Sequence, residues 1–211
     1  MLNGKTILVL AAHTDDGEFG CGGSIAKFIE QGANVYYAAF SLCEESVPEG
    51  WPKDILEKEL KQAAIAWGVG APNLLIFRYP VRRFAQHRQE ILEDLVGLQK
   101  RLKPTIVFMP SFNDLHQDHH IIAEEGRRAF KKTTILAYEM PWNNIMFSTQ
   151  LFVKLDSNHV EIKLAALREY KSQKDKSYAS PRFIEGLAHT RGVSVDSEYA
   201  EAFEVVRCVI D

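Results

Sequence analysis

Two short clusters of histidines and carboxylates are the residues of this chain best suited to chemistry. They are His13-Thr14-Asp15-Asp16 and His116-Gln117-Asp118-His119. Two imidazoles and one carboxylate can bind zinc and leave a position open for water, which is the arrangement of catalytic rather than structural zinc sites. Taken alone, the first cluster also fits a carboxylate that only caps a helix, and the second fits a solvated, polar helix start.

Each cluster lies between a predicted strand and a predicted helix. The strands are predicted over Thr6–Ala12 and Thr105–Met109, because apolar runs without polar alternation are typical of strands buried on both faces. The helices are predicted over Ser24–Gln31 and His119–Phe130. Since ligands bind at the carboxyl ends of strands in open α/β sheets, we expect both clusters at one edge of one sheet.

A shared sheet edge favours the metal interpretation over the two simpler ones. At that edge His119 can complete a His/Asp/His set with His13 and Asp16. The adjacent carboxylates Asp15 and Asp16 also need an explanation, because aspartates are rarely buried without a partner. A bound cation would relieve their mutual repulsion.

Strands and helices alternate along most of the chain. Further strands are predicted over residues 35–40, 74–77, 134–138, 151–155 and 199–206, and further helices over residues 53–67, 88–102 and 159–174. This alternation predicts an α/β fold with a mostly parallel central sheet flanked by helices. A chain of 211 residues fits one such domain, so we expect a single domain over residues 1–211.

The composition argues against several classes of protein. The net charge of −3 offers no basic surface for a nucleic acid, and no apolar run approaches the length of a membrane span. The cysteines are three in number and form no Cys-x-x-Cys pair. These features predict a reduced, cytoplasmic protein with no nucleic-acid partner, no signal peptide and no membrane span. A homo-oligomer is left open.

Gly20, Gly22 and Gly23 support a competing interpretation. A glycine-rich turn between a strand and a helix can cradle a phosphate, which would make the chain a non-hydrolytic nucleotide- or sugar-nucleotide-binding module. Their spacing does not match the dinucleotide motif, and this alternative leaves His116 and His119 without a role. We therefore expect the glycines to let the helix pack close to the metal loop.

Together the two clusters resemble the LmbE-like, or PIG-L-type, zinc-dependent N-acetylglucosaminyl deacetylases. The resemblance rests on His13–Asp16, on Gly22-Gly23, on His116–His119 and on Tyr199–Phe203. The family usually has proline where Thr14 stands, a change we expect to be tolerated because neither side chain is a ligand. The resemblance implies a Rossmann-like α/β domain that hydrolyses acetamide groups, mostly on N-acetylglucosamine units.

The resemblance assigns a metal to three residues of this chain. It places zinc on His13, Asp16 and His119, and another divalent ion such as Fe²⁺ is an alternative because metal availability contributes to the choice. Zinc lowers the pKa of a water molecule toward about 7, so a carboxylate can take its proton at neutral pH.

The resemblance assigns catalytic roles to three more residues. Asp15 matches the general base. A protonated His116 matches the group that stabilises the oxyanion or protonates the leaving amine, and Asp118 matches a partner that orients His116. The expected substrate is a small amino sugar with an N-acetyl group, although the motifs also allow a different scissile bond, such as an ester.

Substrate contacts are predicted on the same sheet edge. Arg78, Arg82 and Arg83 follow the third strand and could bind sugar hydroxyls or a phosphate. Trp142 follows the fifth strand and could stack on a sugar ring. The alternatives are that the arginines are surface residues and that the tryptophan belongs to the core. Tyr178 and Arg191 are weaker candidates for a lid.

Overall fold

One seven-stranded sheet organises the protein, and the computed structural model describes it over residues 2–210. The strands are β1 (Thr6–Ala11), β2 (Asn34–Ala39), β3 (Leu74–Ile76), β4 (Ile106–Pro110), β5 (Thr134–Tyr138), β6 (Leu151–Leu155) and β7 (Tyr199–Arg207). Their order across the sheet is β3-β2-β1-β4-β5-β7-β6. The first five strands are parallel, whereas β7 runs antiparallel between β5 and β6. The predicted α/β class and mostly parallel sheet are confirmed.

Within residues 2–210, six α-helices cover the two faces of this sheet. They are α1 (Asp16–Glu30), α2 (Ile55–Trp67), α3 (Arg88–Leu102), α4 (Gln117–Ala129), α5 (Ser157–Arg168) and α6 (Pro181–Val193). β1 shows why both faces are apolar: Ile7 and Val9 pack beneath α1, α2 and α5, while Leu8 and Leu10 pack beneath α3 and α4. None of the helices within residues 2–210 is long and apolar enough to cross a membrane.

Helix α1 begins at Asp16 rather than at the predicted Ser24, so the first motif runs into its first turn. The helix is kinked at Cys21, where φ is −145° and ψ is 21°. Across the kink, the buried carboxylate of Glu201 accepts hydrogen bonds from the backbone N–H groups of Gly23 (3.0 Å) and Ser24 (2.7 Å). These tertiary contacts sustain a helix in a glycine-rich segment whose own helical propensity is poor.

The glycines of α1 allow the helix to lie against the sheet and α5. A Cβ on Gly20 would come within 2.3 Å of the Tyr138 ring, and one on Gly23 within 2.5 Å of Leu155. Close packing was therefore predicted correctly, but the expected partner was wrong. The glycines face β5, β6 and α5 rather than the loop that carries His13.

The last third differs most from the expected elements. Helix α5 ends at Arg168 and not at residue 174; it is followed by short 3₁₀ turns at Lys171–Gln173 and Ser177–Ala179. Helix α6 was not predicted, although its start carries two sequence signals. The Ser180 side chain accepts a hydrogen bond from the Phe183 N–H, and Pro181 occupies the first turn.

Candidate active site

The two histidine clusters meet between β1 and β4. From β1, the chain adds β2 and β3 on one side of the sheet, and it then returns to add β4 and β5 on the other side. β1 and β4 are parallel neighbours, yet α1 leaves β1 toward one face of the sheet and α4 leaves β4 toward the other. The crevice between them lies outside the carboxyl ends of both strands, as expected for a ligand site in an open α/β sheet. His13 follows β1 and His116 is the N-cap of α4, so each cluster stands at this crevice.

Three side-chain atoms come together there with the spacing of metal ligands. His13 Nδ1 lies 3.0 Å from His119 Nε2, Asp16 Oδ2 lies 3.3 Å from the same His119 atom, and His13 Nδ1 and Asp16 Oδ2 are 3.7 Å apart. Ligand atoms on a tetrahedral zinc are about 3.3 Å from one another, given zinc–ligand bonds of 2.0–2.1 Å. The His/Asp/His set therefore fits a small divalent ion. Ligand atoms of His13, His116 and His119 also lie within 4.8 Å of one another, which makes a three-histidine set the alternative.

Asp114 holds His119, a role that was not predicted from the sequence. Its Oδ2 lies 2.8 Å from His119 Nδ1, and its Oδ1 accepts a hydrogen bond of 2.8 Å from the His116 backbone N–H. Metal-binding histidines usually donate their second ring N–H to a carboxylate in this way, which fixes the tautomer and the ring orientation. The available signal was an aspartate in the loop between β4 and α4, five residues before His119.

The carboxylates make this centre favourable for positive charge. Burial by itself lowers the pKa of His119, but Asp16 and Asp114 outweigh it and raise the pKa to about 10. Burial likewise opposes ionisation of Asp16, yet His119 and His13 hold its pKa well below the usual range. The negative charge of these carboxylates therefore favours a cation between the three ligand atoms.

The Asp118 carboxylate contacts His13, whereas the family resemblance implied that it orients His116. Asp118 Oδ2 lies 3.2 Å from His13 Nε2 and accepts a hydrogen bond of 2.6 Å from the Arg82 backbone N–H. Burial opposes its ionisation, but contacts with His13 and the Arg82 N–H lower its pKa below the usual value. Asp118 thus leaves His13 Nδ1 free to face Asp16 and His119.

His116 presents one ring nitrogen to the backbone. Its Nδ1 accepts a hydrogen bond of 3.2 Å from the Asp118 N–H, so a neutral ring carries its proton on Nε2. Burial, followed by the charges of His13 and His119, lowers the pKa of His116 to about 4. These contacts favour a neutral Nε2–H donor, in contrast to the expected protonated ring.

Asp15 immediately precedes α1 and is half-buried in the same cavity. Burial raises its pKa, the neighbouring Asp16 carboxylate raises it further, and the net value is about 6. A carboxylate with a pKa near the working pH is suited to general-base catalysis. The backbone next to Asp15 is fixed by two buried tyrosines, because the Tyr37 and Tyr170 hydroxyls donate to the Thr14 carbonyl oxygen at 2.9 and 2.6 Å.

The clusters open into a cavity of about 400 Å³. Among the predicted substrate residues, Arg82 and Trp142 line this cavity. The Trp142 ring is stacked on Tyr178, with ring centres 4.2 Å apart, so one of its faces is already covered. Arg78 does not line the cavity: its guanidinium pairs with Glu44 (3.0 Å) and Glu57 (2.6 Å) at the surface.

Two further expectations are corrected by the structure. Arg191 forms an ion pair with Glu139 beside β7 rather than contributing to a lid over the cavity. The segment Gly20–Ser24 is buried within α1, and its Gly23 and Ser24 N–H groups already donate to Glu201. It therefore offers no exposed phosphate cradle, which removes the structural basis of the nucleotide-binding alternative.

The fold and the site define an α/β protein with a histidine–carboxylate centre at the switch point of its sheet. The chain belongs to the family described as "PIG-L: GlcNAc-PI de-N-acetylase", which matches residues 8–130. The matched region contains both histidine clusters, Asp114, most of β1 and the strands β2 to β4. The resemblance inferred from the sequence motifs is confirmed.

One curated relative and one solved structure are similar to this chain over most of its length. The Escherichia coli K12 protein named "Uncharacterized deacetylase YaiS" is 26% identical over 174 residues, covering 80% of this chain and 91% of that protein. Conserved protein TT1542 from Thermus thermophilus is 24% identical, with a TM-score of 0.80 and coverage of 100% of this chain and 97% of that chain.

Two structural neighbours have named activities. N,N'-diacetylchitobiose deacetylase from Pyrococcus horikoshii is 21% identical, with a TM-score of 0.77 and coverage of 96% of this chain and 84% of that chain. GalB, a 4-carboxy-2-hydroxymuconate hydratase from Pseudomonas putida KT2440, is 19% identical, with a TM-score of 0.79 and coverage of 98% of both chains. A deacetylase and a hydratase share this architecture, so these likenesses show the fold alone.

Proposed function

We propose that this protein is a metal-dependent hydrolase that removes the acetyl group from an N-acetylated amino sugar of the N-acetylglucosamine type. The observation that carries the proposal is the convergence of three ligand atoms, separated by 3.0 to 3.7 Å, beside Asp15 and His116 in one cavity. Membership of a de-N-acetylase family and the likeness to a chitobiose deacetylase support the choice of an amide on a sugar.

Each residue of the site has a separate role in the proposed reaction. A divalent ion held by His13, Asp16 and His119, for which we propose Zn²⁺ with Fe²⁺ as the alternative, supplies a Lewis acid when bound. Asp15 accepts a proton from the attacking water. His116 donates its Nε2–H to the oxygen on which negative charge develops. As the C–N bond breaks, the proton held by Asp15 passes to the amine nitrogen, and acetate and the free amino sugar leave.

The buried carboxylates of Asp114 and Asp118 position the histidines for these roles without contacting the substrate. Asp114 and Asp118 each hold the ring nitrogen of one histidine that faces away from the ligand cluster. They therefore keep the opposite nitrogens of His119 and His13 directed at one point. Asp15 is the carboxylate of the cluster whose pKa, about 6, suits proton transfer near neutral pH.

The proposal is tested by metal analysis combined with acetate release. The substrates are free, lipid-linked and nucleotide-linked N-acetylglucosamine, and chelator treatment shows whether the metal is required. Asp15→Asn should retain the metal and lose about 100-fold or more in turnover, because the ligands survive and the base does not. Glu45→Gln is the matched control, since Glu45 pairs with Arg83 at the surface (3.7 Å). His119→Ala should instead lower the metal content.

Each outcome bears on a different part of the proposal. Failure to bind any divalent metal after reconstitution would overturn it. A metal-loaded protein that releases no acetate, but cleaves an ester, would redirect the proposal to another scissile bond. A near-wild-type rate for Asp15→Asn would show that another group is the base.

A further inference from the structure

Two cations line the candidate cavity in addition to its histidines and carboxylates. They are Arg82, on the stretch after β3, and Lys176, on the segment between α5 and α6. Both side chains are exposed, and neither forms an ion pair with a carboxylate of residues 2–210. Their positive charge is therefore available to a group that enters the cavity.

Arg82 differs in this respect from the other arginines of its stretch. Arg78 pairs with Glu44 and Glu57, and Arg83 lies 3.7 Å from Glu45. Arg82 adopts a left-handed backbone conformation with φ of 66°, which is unfavourable for a residue with a Cβ. Hydrogen bonds from its N–H to Asp118 and from the Gln117 side chain to its carbonyl hold it there. The backbone that places this guanidinium at the cavity is thus tied to the metal-binding motif.

Lys176 lies on a segment that is anchored on both sides. Toward α5, the buried Glu59 carboxylate accepts hydrogen bonds from the Ser172 N–H (2.9 Å) and hydroxyl (2.6 Å). Toward α6, the Tyr178 ring stacks on Trp142, with the ring planes 8° apart. Lys176 stands between these anchors and lines the cavity, whereas Lys174 lines a neighbouring cavity instead.

We infer that the sugar substrate carries an anionic group, a phosphate or a carboxylate, that is bound by Arg82 and Lys176. The inference deepens the proposed function and rests on it. A guanidinium binds such a group through two parallel hydrogen bonds, and an ammonium adds a compact charge. The metal-ligand end of the cavity would hold the acetamide, and the two cations would select sugars by a group remote from the reacting bond.

The test compares anionic and neutral substrates across matched variants. The substrates are N-acetylglucosamine 1-phosphate, N-acetylmuramic acid with its carboxylate, and the neutral methyl glycoside of N-acetylglucosamine. The variants are Lys176→Met and Arg82→Gln. Lys174→Met and Arg83→Gln remove the same charges from neighbouring positions outside this cavity and serve as controls. All are measured at low and high salt.

We expect the wild-type protein to prefer an anionic substrate, with a preference that falls as salt rises. Lys176→Met and Arg82→Gln should each lower kcat/KM for that substrate by about tenfold, mainly through KM, because a remote charge-assisted contact stabilises ground and transition states alike. The controls should stay within about twofold of wild type for every substrate. Lys176→Met and Arg82→Gln should lose less kcat/KM for the neutral glycoside than for the anionic substrate. The better anionic substrate identifies the group as phosphate or carboxylate.

Failure of the inference and failure of the proposed function give different results. Equal kcat/KM for neutral and anionic sugars in the wild-type protein would overturn the anion site and leave the deacetylase in place. If no sugar releases acetate, calorimetric titration with N-acetylglucosamine 1-phosphate still decides the matter. Binding that Lys176→Met weakens but Lys174→Met does not would uphold the anion site. No binding, or equal binding by both variants, would refute it.

Discussion

Asp114 offers the sharpest test of how the centre is held together. Its two carboxylate oxygens serve two different donors, with Oδ2 at 2.8 Å from His119 Nδ1 and Oδ1 at 2.8 Å from the His116 N–H. Asp114→Asn keeps the shape but turns one of these oxygens into an NH₂ group. One of the two donors then faces another donor in a buried place, because Asp114 is only 6% exposed.

The magnitude follows from these two contacts. Loss of the carboxylate behind a metal-binding histidine typically weakens metal affinity by about 10- to 100-fold. This corresponds to about 1.4 to 2.7 kcal/mol, since a factor of ten is about 1.4 kcal/mol. A buried donor left without an acceptor costs a further 1–3 kcal/mol or so in the free energy of unfolding. We therefore expect Asp114→Asn to fold, with a lower stability and a weakened metal site.

The assay is competition for Zn²⁺ with a chromophoric chelator, together with urea unfolding of the metal-free protein. Asp156→Asn is a control at a second contact between a carboxylate and a buried histidine, because Asp156 Oδ1 lies 2.5 Å from Nδ1 of His159 at the start of α5. The Asp156 side chain is exposed and lies outside the candidate cavity. The control should retain wild-type metal affinity. Zinc affinity of folded Asp114→Asn within twofold of wild type would refute the reasoning. An equal loss in Asp156→Asn would assign the effect to general stability.

Two further substitutions test the packing that shapes α1, both by urea unfolding. Lys163→Met leaves the buried Glu201 carboxylate without its ammonium partner at 2.7 Å and should cost about 3–5 kcal/mol in the free energy of unfolding. A loss below about 1 kcal/mol would show that α1 does not depend on this ion pair. Gly20→Ala places a Cβ within 2.3 Å of the Tyr138 ring and should cost about 1–3 kcal/mol. Gly97→Ala in α3 meets no atom within 4 Å and should be neutral or stabilising; destabilisation by both alanines alike would contradict the packing argument.

The main outline of the fold follows from local patterns in the sequence. The run Thr6–Ala12 is apolar at every position after its first, which a strand satisfies only when helices cover both faces of its sheet. Because parallel strands end at the same edge, the residues after β1 and β4 were expected at one edge of the sheet. The pairing of β1 with β4 then brings the His13 and His119 ring nitrogens within 3.0 Å of each other. The fold class and the shared sheet edge of the two clusters were thus predictable from residue types and spacing, whereas the family was predicted from the resemblance of the motifs.

The elements of the glycine-rich and irregular segments were less predictable. Gly20–Gly23 weakens the local helical preference, so the beginning of α1 was placed too late, at Ser24 instead of Asp16. The helix continues there because Glu201, which is far away in the sequence, accepts the N–H groups beyond the kink. Helix α6 was missed for a different reason, since its Ser180-Pro181 start was present but its apolar pattern is short.

Only the tertiary structure decides which partner each polar side chain of the site takes. Asp118 is one residue from His119 and two from His116 in the sequence, yet its carboxylate contacts His13, in the loop that follows β1. Arg78 and Arg82 are only four residues apart in the sequence. Surface carboxylates pair with Arg78, however, whereas Arg82 lines the cavity. The periodicity of apolar residues predicts whether a residue lies at a strand end or on a helix face, which locates its side chain only to within several ångströms. A hydrogen bond is decided within a few tenths of an ångström by the backbone and rotamers of both partners, so it depends on packing that no local pattern encodes.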